Sequence, residues 1–148
     1  MQKLAFPPQS FRIKNTENNA LIFDSARKKF VVLTPEEWVR QHCVQWLFKN
    51  KNVPKTLLNV EKQITLNTQV SKRYDVVVYK PDGSLYLLVE CKAPNVIINQ
   101  DVFDQIARYN MALNANYLMV TNGLQHYYCK IDVNAKEYVF LRDLPPYK

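Results

Sequence analysis

The chain has 148 residues, enough for one compact domain with a sizeable core. Its composition, 47% hydrophobic and 12% aromatic, excludes a disordered chain, and no apolar run approaches the roughly 20 residues that span a bilayer. A net charge of +7 favours a polyanionic partner through long-range attraction.

Residues 1–19 are polar, carry Pro7 and Pro8, and read as a loosely structured arm without the basic start and long apolar stretch of a signal peptide. The apolar runs 21–24 and 30–33, separated by residues 25–28, predict a hairpin. Thr34-Pro35-Glu36-Glu37 is a helix start, with a hydroxyl N-cap, proline at the first helical position and an acid three residues after the cap. Trp38, Val39, Val44, Leu47 and Phe48 carry an amphipathic helix to the basic stretch 49–55. A strand over 60–66 leads across a polar loop into a second strand over 74–79. Pro81-Asp82-Gly83-Ser84 is a tight turn, followed by a strand over 85–92 that Pro94 halts. A second helix opens at Asn99 or Gln100 and ends near Asn114. A buried strand over 117–121 and a final pair over 125–132 and 137–141 complete the chain. This order predicts a single α/β or α+β domain over 1–148, a mixed β-sheet flanked by helices. Only two glycines are present, both in turns, which excludes a Walker-type or dinucleotide-binding loop. Cys43, Cys91 and Cys129 are widely spaced and read as reduced thiols of a cytoplasmic protein.

A two-residue loop at Asp82-Gly83 would set Tyr79 opposite Tyr86, Val77 opposite Leu88 and Asp75 opposite Glu90. Side chains alternate along a strand, so Glu90 and Lys92 would share a face with each other and with Asp75. Opposed carboxylates repel unless a cation lies between them. Few, hard oxygen ligands suit Mg²⁺ or Mn²⁺, and a nearby lysine can hold the attacking water, which is the chemistry of phosphodiester hydrolysis. The alternative is that both acids are exposed at strand ends and paired with Lys72, Arg73 or Lys92. The apolar neighbours 76–78 and 87–89 argue against it, because charges within such strands are costly unless used or paired.

Asp75, fourteen residues, then Glu90-Cys91-Lys92 resembles the D…ExK core of the PD-(D/E)xK nuclease superfamily. The segments 24–29, 33–41 and 72–79 resemble the N-terminal nuclease domain of type I restriction enzyme R subunits, over roughly residues 20–125. The resemblance implies a restriction-endonuclease-like core and a Mg²⁺-dependent DNA endonuclease, with Mn²⁺ as a substitute. Asp75, Glu90 and the backbone carbonyl of Cys91 would ligate the metal, and Lys92 would position the water. Glu37 is the candidate acid from the first helix, although it also stands where a capping acid reaches back to Thr34. Gln105 and Tyr109 resemble the Q-x-x-x-Y element that touches nucleic acid in relatives; the alternative is the polar edge of an ordinary helix. Lys72 and Arg73 would contact phosphate. Tyr74 replaces the proline that names the superfamily. The implied partners are double-stranded DNA and, in the R-subunit setting, a helicase-like motor and specificity or methylation subunits. A non-catalytic DNA-binding or assembly module on the same fold is the competing function, and a nuclease for RNA or branched DNA a remoter one. His42, His126, Tyr127 and Tyr128 read as packing residues, as does Cys91, whose side chain should point away from Glu90.

Overall fold

The computed structural model describes residues 1–65, 71–132 and 134–148. Strands β1 (Ile13–Asn15), β2 (Ala20–Asp24) and β3 (Lys29–Val32) form a small antiparallel sheet. The turn between β2 and β3 is held by Asp24, whose carboxylate accepts the N–H groups of Ala26 at 2.8 Å and Arg27 at 3.1 Å. Helix α1 (Pro35–Asn50) follows, and its start is the expected one: the Thr34 hydroxyl accepts the Glu37 N–H at 3.0 Å.

The main sheet has six strands in chain order: β4 (Leu58–Thr65), β5 (Ser71–Tyr79), β6 (Leu85–Cys91), β7 (Tyr117–Thr121), β8 (His126–Asp132) and β9 (Glu137–Leu141). Neighbours are antiparallel except β6 and β7, which run parallel and are joined through helix α2 (Gln100–Asn110). A parallel pair needs such a crossover, because a tight hairpin cannot reverse the chain twice. The fold is therefore α+β with a mixed sheet. Residue 66 of the strand expected over 60–66, and the polar loop after it, lie outside the described residues.

The central strands read as apolar runs because both of their faces are covered. On one side α1 lays Val39, Cys43, Val44 and Leu47 against Val76, Val78, Leu87, Val89 and Met119. On the other, Phe103 and Ala107 of α2 cover Tyr74, Val77, Leu88, Leu118 and Val120. Helix α2 ends at Asn110, earlier than expected, and a single 3-10 turn carries the chain to Asn114, whose left-handed backbone (φ 62°) terminates it.

Two expectations need correction. The arm over 1–19 is not loose: Leu4 is buried, Ala5 donates its N–H to Gly123, the Trp38 indole donates to the Gln2 carbonyl, and β1 joins a sheet. Gly123 is tight for this reason, since a Cβ there would meet Leu4 at 2.8 Å. The β5–β6 turn is longer than two residues. Lys80 donates its N–H to Ser84, Gly83 donates to Lys80, and Tyr79 pairs with Leu85, not Tyr86. An irregularity between Val78 and Tyr79 then restores the expected pairs Val78–Leu87, Val77–Leu88 and Val76–Val89. No helix among the described residues is long and apolar enough to cross a membrane.

Candidate active site

Regular β5–β6 pairing stops at Val76–Val89, and a side chain takes over from the backbone. The Asp75 carboxylate accepts the Cys91 N–H on Oδ2 at 2.8 Å and the Arg40 guanidinium on Oδ1 at 2.8 Å. Tyr74 and Val77 lie in the core beneath α2, whereas Val76 lies beneath α1, so strict alternation fails between them. Asp75 reaches α1 through this break. The partner strand is irregular at the same level: Glu61, between the pairs Val60–Val76 and Lys62–Tyr74, has a left-handed backbone with φ 54°. Such interruptions commonly re-aim a side chain at a site.

Glu90 is buried near the end of β6, and its carboxylate accepts a hydrogen bond from the Lys72 ammonium. Asp75 and Glu90 thus draw their partners from different elements, α1 and the start of β5. They nonetheless line one pocket of about 320 Å³. The pocket brings together six residues singled out in the sequence: Lys72, Arg73, Asp75, Glu90, Cys91 and Lys92. It adds Glu36, Arg40 and Glu61, which sequence reasoning missed as site residues.

Glu37 does not line the pocket. Its carboxylate is buried and accepts hydrogen bonds from Arg27 at 2.8 Å, Arg40 at 2.8 Å and Gln41 at 3.0 Å. Thr34 caps the helix through the Glu37 N–H, but the Glu37 side chain does not return the bond to Thr34, whose own N–H donates to the Val32 carbonyl. Arg27 also pairs with Asp24, so a chain of charges runs from the β2–β3 turn through Glu37 and Arg40 to Asp75. Its signal in the sequence was present but local: an Asx turn with an arginine three residues on, and an i, i+3 Glu-Arg pair in the first turn of a helix.

Glu36 is the acid of α1 that faces the pocket. Burial pushes its carboxyl up from the ordinary value and Asp75 adds to this, while Arg40 and Lys92 pull it down. The Cys91 thiol touches Cys43 in the α1-side core, and that contact with burial holds it protonated. His42 and His126 are packing residues with lowered pKa, chiefly through burial. Gln105 and Tyr109 project from α2 into a shallow neighbouring recess shared with Ile106 and Lys72. Tyr128 is core and Tyr127 half-buried.

Among the described residues, no three His, Cys, Asp or Glu side chains gather closely enough to cage a metal. The oxygen donors that line the pocket are the carboxylates of Asp75 and Glu90, with Glu36 and Glu61 at its α1 and β4 sides. This hard and incomplete oxygen set suits Mg²⁺ or Mn²⁺, which keep several waters and take phosphate oxygens as further ligands.

A family model described as type I restriction enzyme R protein N terminus (HSDR_N) matches residues 35–145. The match starts at the first residue of α1, inside the 20–125 span over which the sequence resembles R subunits, and runs past β9, beyond the end of that span. No curated protein matches the chain.

Proposed function

Because the chain belongs to the family of type I restriction enzyme R protein N termini, we propose that it is a Mg²⁺-dependent endonuclease for double-stranded DNA, with Mn²⁺ able to substitute. The observation that carries this reading is the meeting of Asp75, Glu90 and Lys92 in one pocket where β5 and β6 part. Asp75, Glu90 and the Cys91 carbonyl would hold the ion. When bound, it would polarise the scissile phosphate and make a coordinated water more acidic.

The residues of the chain do the rest. Arg40 and the Cys91 N–H fix the Asp75 carboxylate from both sides, so its orientation is set before any ligand arrives. Lys92 stands where an ammonium can orient the attacking water and balance the charge that develops on the phosphate. Glu36, not Glu37, is the first-helix acid placed to receive a proton from that water. Glu37 acts one step back, by holding Arg40. Lys72 and Arg73 offer cations to the flanking phosphates, and Gln105 with Tyr109 extends the contact surface along α2. The domain would work in the cytoplasm, beside a helicase-like motor and specificity or methylation subunits.

A second reading, a DNA-binding or assembly module without catalysis, draws on one observation: Arg40 and Lys72 already neutralise both carboxylates without a metal. Supercoiled-plasmid cleavage with Mg²⁺, Mn²⁺ or EDTA separates the two. Nicking that EDTA stops and Glu90→Gln abolishes supports the nuclease. DNA binding without nicking in either metal supports the module.

A further inference from the structure

We propose that Lys72 is an internal counter-ion which a divalent cation displaces from Glu90, and that the displaced ammonium becomes a phosphate contact, coupling metal binding to DNA binding. The inference rests on the metal site proposed above and adds a regulatory device to it.

Three features distinguish Lys72 from the other cations of the pocket. First, its ammonium donates to the Glu90 carboxylate, on the oxygen Oε1. An ion binding at Glu90 therefore competes with a charge of the same sign at the same atom. Second, Lys72 can leave. Its side chain is 31% exposed, whereas the Arg40 side chain on Asp75 is 8% exposed and is tied to Glu37 as well. The two carboxylates are thus neutralised differently, one by a fixed guanidinium and one by an ammonium on a flexible stem. Third, the ammonium already has other partners that keep it when Glu90 is lost. The Lys72 ammonium lies 5.0 Å from the centre of the Tyr74 ring and 4.9 Å from that of Tyr109. Both ring faces attract a cation that has lost its carboxylate. Tyr109 also carries it toward the α2 recess, which Lys72 lines together with Gln105 and Ile106.

Lys72 is accordingly common to the carboxylate pocket and the recess on α2. With no metal, its charge is spent on Glu90. With a metal on Glu90, repulsion moves the ammonium off the carboxylate and along the Tyr109 ring into the α2 recess, where a DNA phosphate can take it. The coupling is reciprocal: a phosphate that draws Lys72 away unblocks Glu90 and raises metal affinity by the same factor. The nucleic acid would in this way help to load the ion that cuts it, and the free protein would hold metal weakly.

The test is calorimetric titration of Mn²⁺ into the full chain, comparing wild type with Lys72→Met, Lys72→Gln and the charge control Lys80→Met. Lys80 lies beyond the far end of the β5 strand, in the turn to β6. Removing the competing ammonium should tighten Mn²⁺ binding by about tenfold in both Lys72 variants and leave Lys80→Met at the wild-type value. A short duplex with phosphorothioate linkages should strengthen Mn²⁺ binding to wild type by a larger factor than to either Lys72 variant, in which only direct ligation by phosphate remains. Circular dichroism melts show whether both variants remain folded, and Lys72→Gln keeps a polar donor without the charge. Equal or weaker Mn²⁺ binding in folded Lys72 variants overturns the coupling and leaves the metal site standing. Absence of Mn²⁺ uptake by both folded Lys72 variants, and by wild type with the duplex present, overturns the metal site and the coupling with it.

Discussion

Substituting Glu37 by glutamine separates architecture from chemistry within one helical turn. The Glu37 side chain is 7% exposed and its carboxylate binds two guanidinium groups at 2.8 Å and the Gln41 amide at 3.0 Å. Removing one member of a buried charge pair costs about 3–5 kcal/mol, because the partner is left uncompensated. Glutamine keeps one oxygen acceptor but turns an NH₂ group toward the arginines, so the lower end, about 3 kcal/mol, is appropriate. Unfolding entropy of about 2.1 cal/mol/K per residue gives roughly 0.3 kcal/mol/K for this chain, and hence a Tm lower by about 10 °C. Cleavage should fall too, since Arg40 then holds Asp75 less firmly. Glu36→Gln is the matched control: that side chain is 48% exposed, and its loss should move Tm by only a degree or two while reducing cleavage by orders of magnitude. Differential scanning calorimetry beside a plasmid-nicking assay reads both quantities. A Glu37→Gln protein melting within 2 °C of wild type would refute the charge-relay account of how α1 supports Asp75.

Glu90→Gln should weaken Mn²⁺ binding in calorimetric titration while DNA binding in EDTA persists, because the change removes a charge but little volume. DNA affinity should fall linearly on a log–log salt plot, with a slope near −0.9 for each phosphate neutralised, as fluorescence anisotropy would show. Buried His126 has a lowered pKa; its ring bonds the Ala5 carbonyl and Thr121, and protonation would disturb this arrangement. The unfolded chain takes up that proton first, so stability should drop as pH falls below about 6.5, and urea melts of His126→Gln should show a weaker drop. Glu36 works in the opposite sense. Its raised pKa means that the folded state holds its proton longer, so stability should decline as pH rises through and above the ordinary carboxylate range, and Glu36→Gln should remove that decline in the same melts.

Much of this fold is legible in the sequence because its signals are periodic or local. The start of α1 is written in Thr34-Pro35-Glu36-Glu37, and the doubly covered strands in 76–78 and 87–89. The pairing of β5 with β6 was also legible, although by a compensation: a longer turn and an irregularity at Val78–Tyr79 cancel over the apolar core of the hairpin. Two things escaped. The chain start looked unstructured because its anchors, Leu4, Ala5 and Phe6, are single contacts without a repeat, made to distant α1 and β8. That Glu36 and not the expected Glu37 lines the pocket was not legible, because a helical wheel gives angles between neighbours but not which angle faces the strand ends. Arg27, from the preceding hairpin, settles that by claiming Glu37 for itself.

Asp75 closes the β5–β6 ladder with its side chain, accepting a backbone N–H that a strand would ordinarily satisfy with a carbonyl. One carboxylate is therefore mortar in the hairpin and, in the proposed function, reagent as well. Alanine at this position would orphan the Cys91 N–H and the Arg40 guanidinium together, and inactivity of that variant could reflect a sprung hairpin as easily as a missing ligand. Asparagine is no cleaner: with its oxygen on Cys91, its NH₂ faces a guanidinium, donor against donor. If the proposed function holds, an inactive but intact protein for crystallisation with DNA is better made at Lys92, whose side chain makes no hydrogen bond or ion pair among the described residues, so its replacement leaves the hairpin's seam closed.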